Sequence, residues 1–288
     1  MINNVIQKIK NRMIQVDSMA GVGIDPVLAR LPRFILDHYN EVEAIKEFGR
    51  KIIDYTHDLV IDYKVNANFF MTGQSRLALE FIFAYLKHNY PEVVRICDGK
   101  FADVGHTAKE MADYIFGRLD ADAVLLNPYL GFDAVQPFIE YRNKVVVLCI
   151  NTSNPSAVEI QDAKIGEKHL WRYVFDIAMN KWNKNNNIIP VLSATHIDNL
   201  RGIRNIIDDL PIVLAGVGIQ GGDLYSALRF VLDSDGYGAM ISASRSIIYP
   251  ENADKNSDNY WLAVRGQAKK LRDYIRKTKK ELENVREI

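Results

Sequence analysis

A segment of alternating charges follows a short apolar stretch in the first third of the chain. Residues 93–97 have the composition of a buried strand, and Asp98, Lys100 and Asp103 come after it. Because side chains two residues apart leave an extended strand on the same face, Asp98 and Lys100 are expected to point into one site. Asp103 follows a turn, since Gly105 and the residues after it indicate a loop that leads into a helix. It could reach the same site or a neighbour's.

These residue types favour proton transfer over metal chemistry. A lysine held between carboxylates stays protonated, so Lys100 suits a general acid, whereas a Schiff-base nucleophile needs a neutral amine. A metal site requires two or three carboxylates or histidines together, and here each carboxylate has a lysine neighbour, so no metal is expected. A salt-bridged rim is the alternative for any single charge. Four charges in one site, with Lys64 as the fourth, favour function.

The composition limits the classes of partner. The 288 residues are 48% hydrophobic and 25% charged, and 36 basic residues balance 36 acidic ones, which favours a small-molecule partner over nucleic acid or an anionic membrane. Cys97 and Cys149 each lie in an apolar run without metal-ligand spacing, which indicates inert buried thiols. With neither a secretory signal nor a membrane-spanning stretch in the sequence, the predicted location is the cytoplasm.

Strand and helix patterns alternate along the whole chain. The predicted strands cover residues 20–24, 60–65, 93–97, 123–126, 145–150, 188–192, 212–215 and 239–242. The predicted helices cover residues 2–16, 40–58, 74–89, 107–118, 134–141, 170–182, 197–207, 223–232 and 260–276. This alternation, without a linker between halves, predicts an α/β fold with a single (β/α)8 TIM barrel domain over residues 1–288. Residues 1–18 hold an extra N-terminal helix and residues 277–288 a charged tail.

Polar residues at the predicted strand ends decide between this barrel and a doubly wound sheet. They are Asp25, Lys64, Asp98, Lys100, Asn127, Ser153, Gln220 and Arg245. In a barrel the carboxyl ends of the strands converge on one mouth, where catalytic sites are built. No GxGxxG motif opens a helix after the first strand, which counts against the doubly wound sheet.

A glycine-rich turn after the seventh strand predicts an anion site. Residues 216–222 present backbone N–H groups at the start of a helix, and Arg245 after the eighth strand could bind the same anion. Loops in these two positions commonly bind phosphate in barrels, so a phosphorylated substrate is inferred. The alternative is a flexible turn with a surface arginine. The segment 153–168 is longer than most strand-to-helix loops and is interpreted as a lid or substrate loop.

Several motifs together resemble one enzyme family. DGKFAD at 98–103, followed by Val104 and Gly105, is similar to the Asp-x-Lys-x-x-Asp-Ile signature of orotidine 5'-monophosphate decarboxylases, most of all the shorter bacterial-type group. GVGIDP, YKVN, TSNP, GVGIQGGD and SASRSIIY also match, in family order, between about residues 20 and 250. The chain departs from the usual pattern at Phe101-Ala102, where Arg-Gly is frequent, and at His106.

The resemblance implies decarboxylation of orotidine 5'-monophosphate to uridine 5'-monophosphate, the last step of pyrimidine synthesis, without a cofactor. It implies a catalytic tetrad of Lys64, Asp98, Lys100 and Asp103. Asp103 would enter the partner's site in a homodimer, and Lys100 would protonate the carbanion. The implied substrate-binding residues are Asp25 and Thr107, with Lys64, for the ribose, Ser153 for the pyrimidine, and Gly216, Gln220 and Arg245 for the phosphate.

Two rival functions remain open. A metal-dependent sugar-phosphate aldolase, such as a hexulose-phosphate synthase, resembles this family but ends its second strand in a carboxylate, and Lys64 in that place counts against it. The second rival is a non-catalytic barrel that binds a nucleotide. The sequence also leaves open whether Thr152 or Ser153 faces the base.

Overall fold

A closed barrel of parallel strands organises the molecule. The computed structural model describes residues 3–72, 75–217, 223–251 and 253–286. Its barrel strands are β1 (Ala20–Ile24), β2 (Asp62–Asn66), β3 (Val94–Phe101), β4 (Ala123–Leu126), β5 (Val145–Cys149), β8 (Ile188–Ser193), β9 (Ile212–Ala215) and β10 (Ala239–Ala243), while β6 (Lys164–Ile165) and β7 (Lys168–His169) form a small antiparallel pair. Barrel strands pair in chain order, and β10 pairs with β1 to close the ring. The predicted (β/α)8 barrel is confirmed.

Helices surround the barrel. The α-helices of the described residues are α1 (Asn4–Val16), α2 (Arg33–Leu36), α3 (Glu41–Thr56), α4 (Arg76–Asn89), α5 (Gly105–Ala112), α6 (Phe132–Ile139), α7 (Val158–Gln161), α8 (Leu170–Ile177), α9 (Arg204–Ile207), α10 (Leu224–Val231), α11 (Arg245–Ile248) and α12 (Asn259–Arg286). Asn40 caps α3, because its side-chain oxygen accepts a hydrogen bond from the Glu43 amide at 3.1 Å, as its position before the apolar pattern predicts. Among these helices, none combines the length and the apolar character needed to cross a membrane.

The alternation of side chains along β2 sets which residues face the barrel interior. Tyr63 points outward to α3, where its hydroxyl contacts Thr56 Oγ1 at 2.7 Å and donates to the carbonyl of Ile53 at 3.1 Å. Successive side chains of a strand leave opposite faces, so Asp62 and Lys64 point into the barrel. The strand thus places one buried carboxylate and one lysine in the lumen.

Two helices differ from the sequence prediction. The helix expected over residues 197–207 is interrupted: a 3₁₀ turn at Ile197–Leu200 and α9 are separated at Gly202, whose φ of 70° does not continue a helix. The last helix instead continues past residue 276 to the end of α12. Thr278 and Leu282 are buried there, so the apolar face persists into the charged segment. The division of the chain into domains stays a prediction.

The predicted N-terminal helix, α1, lies across the amino-terminal end of the barrel. Asn3 caps it by accepting a hydrogen bond from the Val5 amide at 2.8 Å, and its side-chain amide donates to the carbonyl of Arg142 at 2.6 Å. Arg12 is buried and donates to the carbonyl of Val60 at 3.2 Å. These bonds fix α1 to both sides of the barrel floor.

A buried ionic network also occupies this end of the barrel. Asp122 accepts hydrogen bonds from the backbone amide of Arg95 at 2.9 Å, from the Arg95 guanidinium at 3.0 Å and from Lys8 of α1 at 2.7 Å. Arg95 also lies 3.7 Å from Asp120, which binds Lys144 at 2.6 Å. Removing one partner from such a network leaves a buried charge without compensation.

We expect Asp122→Asn to lower the free energy of unfolding by about 3 kcal/mol, because Arg95 and Lys8 lose their shared carboxylate. Urea denaturation of the variant and the parent protein measures the change. Asp198→Asn is the matched control, because Asp198 is 90% exposed in its pair with Arg201 and a surface pair contributes about 0–1 kcal/mol. Equal denaturation midpoints for the two variants would contradict a stabilising role for the network.

Candidate active site

Three charged side chains meet at the carboxyl end of the barrel. The carboxylate of Asp98 lies on β3 and is 2% exposed. Lys64 on β2 donates to Asp98 Oδ2 at 3.0 Å, and Lys100 donates to Oδ1 at 2.9 Å and to Oδ2 at 3.2 Å. The predicted convergence of Lys64, Asp98 and Lys100 is therefore present in the structure.

The convergence of Asp98 and Lys100 has a different cause from the simple alternation that the sequence suggests. The pairing of β3 with β4 shifts between Asp98 and Phe101, and Lys100 has a φ of 48°. A lysine in the left-handed region is strained by about 1–2 kcal/mol, so the surrounding contacts must hold it there. This irregularity turns Lys100 back toward Asp98, while the side chain stays 51% exposed.

The charges shift each other's pKa values in opposite directions. Burial alone would raise the pKa of Asp98, but the charges of Lys64 and Lys100 and the hydrogen bonds that they donate lower it overall. Burial would lower the pKa of Lys64, but the carboxylates of Asp98 and Asp25 raise it overall. Asp98 therefore stays ionised and Lys64 stays protonated at neutral pH.

A cleft with two connected lobes surrounds this cluster. One lobe has a volume of about 640 Å³ and the other about 480 Å³. Residues that line both lobes are Lys64, Asp98, Lys100, Ser153, Leu214, Gly216 and Ser242. Asp25 and Arg245 line only the larger lobe, and Asn127 and Thr152 line only the smaller one. The cluster thus lies where the lobes join.

Gly216 allows the end of β9 to approach the loop after β5. Its φ is 81°, and a Cβ atom there would lie 2.8 Å from Ser153 Cβ and 3.0 Å from Thr195 Cγ2. Any larger residue would therefore push Ser153 out of the junction between the lobes. The rest of the predicted turn, residues 218–222 with Gln220, lies outside the described residues.

Gln161 of α7 holds the loop that carries Thr152 and Ser153. Its Oε1 accepts from the Thr152 amide at 2.9 Å, and its Nε2 donates to Thr152 Oγ1 at 2.8 Å. Thr152 Oγ1 in turn donates to Asn154 at 2.6 Å. The segment predicted as a lid or substrate loop contains α7 and the β6–β7 pair, and its predicted function as a lid stays a prediction.

At the outer end of the larger lobe, Arg245 is the first residue of α11 and is exposed. Asp25 follows β1, and its Oδ1 is buried without a hydrogen-bond partner in the part of the chain that the structure describes. Such an oxygen is available to a ligand hydroxyl. The cleft therefore offers an acceptor near the cluster and a cation near its rim.

Asp103 and Thr107 do not join the cluster. Among the described residues that line the two lobes of the cleft, neither Asp103 nor Thr107 is present. Asp103 accepts a hydrogen bond from the Val104 amide at 2.7 Å on the loop before α5, and Thr107 lies within that helix. The alternative that the sequence left open, that Asp103 joins the site of its own chain, is not what the structure presents.

Comparisons with known proteins show similarity over most of the chain. The chain matches the family described as Orotidine 5'-phosphate decarboxylase / HUMPS family over residues 35–260. It is 36% identical over 270 residues to the orotidine 5'-phosphate decarboxylase of Cellvibrio japonicus, with 94% of this chain and 97% of that relative covered. For the enzyme of the same name from Ralstonia nicotianae the identity is 35%, with 90% and 93% covered.

The chain belongs to the orotidine 5'-phosphate decarboxylase / HUMPS family. The structure of the Leishmania donovani OMP decarboxylase has a TM-score of 0.79 and 26% identity, covering 96% of this chain and 98% of that one. The predicted family is confirmed. The predicted enzyme class, a carboxy-lyase, is also confirmed, because the curated relatives are named orotidine 5'-phosphate decarboxylases.

Sequence reasoning missed three kinds of residue that lie in the cleft wall, on its loop or in the lumen beneath it. Asp62 lies in the lumen beneath Lys64, and the polar-apolar alternation of β2 could have revealed it. Gln161 could not be found, because its role depends on the loop folding back. α12 adds Gln267 and Lys270 to the wall of the larger lobe, which periodicity alone does not indicate.

The charge of Asp98 predicts a pH-dependent contribution to stability. Because its folded-state pKa lies below the ordinary value of 3.8, the contribution is present above that value and is lost as the pH falls through the lowered folded-state pKa. We expect Asp98→Asn to be less stable than the parent by about 3 kcal/mol at pH ~7, and the difference to shrink below pH ~4.

Urea denaturation at several pH values checks this expectation. Ser246→Ala serves as a control, because this exposed cleft residue carries no charge and should shift the midpoint equally at every pH. A stability difference between Asp98→Asn and the parent that does not change with pH would disprove the linkage.

Proposed function

We propose that the chain decarboxylates orotidine 5'-monophosphate to uridine 5'-monophosphate in pyrimidine synthesis, without a cofactor. The observation that carries this proposal is the buried Asp98 carboxylate shared by Lys64 and Lys100 at the mouth of a barrel of this family. The named activity of the curated relatives supports the same reaction.

In the proposed mechanism Asp98 faces the substrate carboxylate that leaves as carbon dioxide. Repulsion between two carboxylates about 4 Å apart amounts to about 4 kcal/mol at an effective dielectric of ~20. Enzymatic accelerations can require up to ~23 kcal/mol, so repulsion alone is insufficient. Most of the effect must come from the stabilisation of the carbanion at C6 by Lys100 and from binding energy at the phosphate.

When carbon dioxide leaves, the electron pair of the broken C–C bond stays on C6. Lys100 then donates a proton to C6, and this electron pair forms the new C–H bond. Its exposure of 51% supports this role, because the ammonium group is held by Asp98 on one side and open to a ligand on the other. The left-handed backbone at Lys100 keeps the group in that position before substrate binds.

The remaining polar residues are assigned to substrate binding. Asp25 and Lys64 bind the ribose hydroxyls, Ser153 binds the pyrimidine edge, and Arg245 binds the phosphate with the predicted help of Gly216 and Gln220. Ser153 is favoured over Thr152 for the base, because Ser153 lines both lobes of the cleft where they meet the cluster, whereas Thr152 lines only the smaller lobe. Thr107 would contact ribose only across a subunit interface, since it lies outside this chain's cleft.

We propose that the enzyme is a cytoplasmic homodimer in which Asp103 enters the partner's site. Asp103 lies away from the cluster of its own chain, on an outer loop at the same end of the barrel. Its neighbour Val104 is 52% exposed, and Tyr129 on the loop after β4 is 77% exposed. Exposed apolar side chains beside a charged residue fit a surface covered by a second subunit.

The metal-dependent aldolase is the rival within the same family. Lys64 occupies the lumen position where that rival is expected to carry a carboxylate, and it is bonded to Asp98. Among the described residues, no group of three or more His, Cys, Asp or Glu side chains is placed to hold a metal ion. A chelator separates the two functions, because EDTA should leave the proposed decarboxylation rate unchanged.

We expect Lys100→Ala to lower the turnover number by about 10³-fold or more, since both carbanion stabilisation and proton donation are lost. The ultraviolet absorbance change of orotidine 5'-monophosphate follows the reaction. Lys109→Ala is the matched control, because Lys109 lies on the exposed surface of α5 and binds only Asp113 among the described residues. Turnover by Lys100→Ala close to that of the control would refute the mechanism.

Mixing two inactive variants tests the shared site. We expect Lys100→Ala and Asp103→Ala homodimers to be nearly inactive, and their mixture after subunit exchange to recover up to about a quarter of the parent activity, because each mixed dimer of twofold symmetry has one intact site. Recovery fails if both residues serve the same chain's site. Turnover by the parent protein but none by the mixture would reject only the dimer proposal.

A further inference from the structure

Three strands place Asp62 in a specific layer of the barrel lumen. The residue pairs with Gly21 on β1, and Gly21 pairs with Ser242 on β10. Because Gly21 has no side chain, the Asp62 carboxylate extends across β1, and any Cβ atom at Gly21 would overlap it. Asp62 Oδ1 accepts a hydrogen bond from the Ser242 hydroxyl at 3.1 Å. The carboxylate thus connects β2 to β10 below the active cluster.

The other oxygen of this carboxylate is left without a hydrogen bond. Asp62 is fully buried, and its Oδ2 has no partner among the residues that the structure describes. Lys64 follows two residues later on the same face of β2, with its ammonium group on Asp98. An unbonded buried carboxylate oxygen is costly unless a nearby positive charge compensates it. The charge of Lys64, from the next layer of the lumen, acts on Asp62.

The charge of this carboxylate is easily lost. Burial raises the pKa of Asp62 to about 6, against the opposing effects of the Ser242 hydrogen bond and the charge of Lys64. Lys64 is attracted from above by Asp98 and Asp25 and from below by Asp62. The neighbours on β1 and β3 at the Asp62 level are Gly21 and Val94, which carry no charge. The ionised form of Asp62 is therefore stabilised first by the Ser242 hydrogen bond and then by the charge of Lys64.

We propose that Asp62 is a positioning residue for Lys64: the ionised carboxylate, held by Ser242, attracts the lysine from below while Asp98 holds its ammonium group, and protonation of Asp62 removes this second attraction. The inference rests on the proposed function, in which Lys64 binds the substrate ribose. A lysine attracted by both Asp98 and Asp62 is preorganised for the ribose, whereas a lysine without the attraction of Asp62 is positioned less firmly before substrate binds. The consequence is weaker substrate binding when Asp62 is neutral.

Steady-state kinetics of Asp62→Asn from pH ~5 to ~8 tests this role. The variant is nearly isosteric and mimics the protonated carboxyl group. Relative to the parent at pH ~7.5, we expect the KM of the variant to be raised about threefold or more, because Asp62 and Lys64 belong to one charge network. The change in kcat should be smaller. The parent's KM should rise toward that of the variant as the pH falls through about 6, the value to which the pKa of Asp62 is raised.

Two further variants make the result specific. Ser242→Ala removes the hydrogen bond that lowers the pKa of Asp62, so the rise in KM should occur at higher pH than in the parent. Asp233→Asn is the matched control, a buried carboxylate with one unbonded oxygen that precedes β10 at the opposite end of the barrel. Asp233→Asn should keep the parent's pH profile. The titration of the substrate phosphate affects the parent and the control equally, so it cannot produce a difference between them.

Parent and Asp62→Asn profiles that stay parallel at every pH would overturn the inference, even if the variant is less stable. The same holds if Asp62→Asn lowers kcat alone. Absence of decarboxylation by the parent enzyme would instead overturn the proposed function, so the two failures are distinguishable. If Asp62→Asn does not fold, an unshifted pH profile in Ser242→Ala overturns the inference by itself.

Discussion

The buried carboxylate of Asp98, shared between two ammonium groups, is the interaction on which the site depends. A carboxylate that is 2% exposed would be strongly unfavourable alone, and Lys64 and Lys100 compensate it from two neighbouring strands. Lys64 in turn depends on the same carboxylate, since burial would otherwise lower the pKa of Lys64. The three residues form one unit, and the effects of substituting them should not add.

That unit requires an irregular strand. A regular β3 would pair with β4 in one continuous register. Here the register shifts between Asp98 and Phe101, and Lys100 has a left-handed backbone conformation. The strain of about 1–2 kcal/mol is offset by the two hydrogen bonds from Lys100 to Asp98. The result is a lysine that is anchored by its ammonium group yet half exposed, which suits proton donation to a bound ligand.

Much of this arrangement could be predicted from the sequence, because apolar runs that end in polar residues locate the strands of a barrel. The meeting of Lys64 and Asp98 follows from strand order alone. The backbone at Lys100 does not, since it arises from the register between β3 and β4. Gly202 breaks a helix that periodicity extends, and Gln161 reaches Thr152 only because the loop returns to the barrel. Predictions thus hold where strand order decides, and fail where the backbone of a single residue or the return of a loop decides.

The two ends of the barrel use the same interaction for different purposes. At the floor, Asp122 binds Arg95 and Lys8, and the side chains of Asp122 and Arg95 are 8% and 7% exposed, so the charge contributes to stability. At the mouth, Asp98 is buried as deeply, but one of its partners, Lys100, is 51% exposed. An enclosed cation cannot act on a ligand, whereas a half-exposed one can. Access to the cation, more than the presence of the ion pair, therefore separates the reactive end of the barrel from the stabilising end.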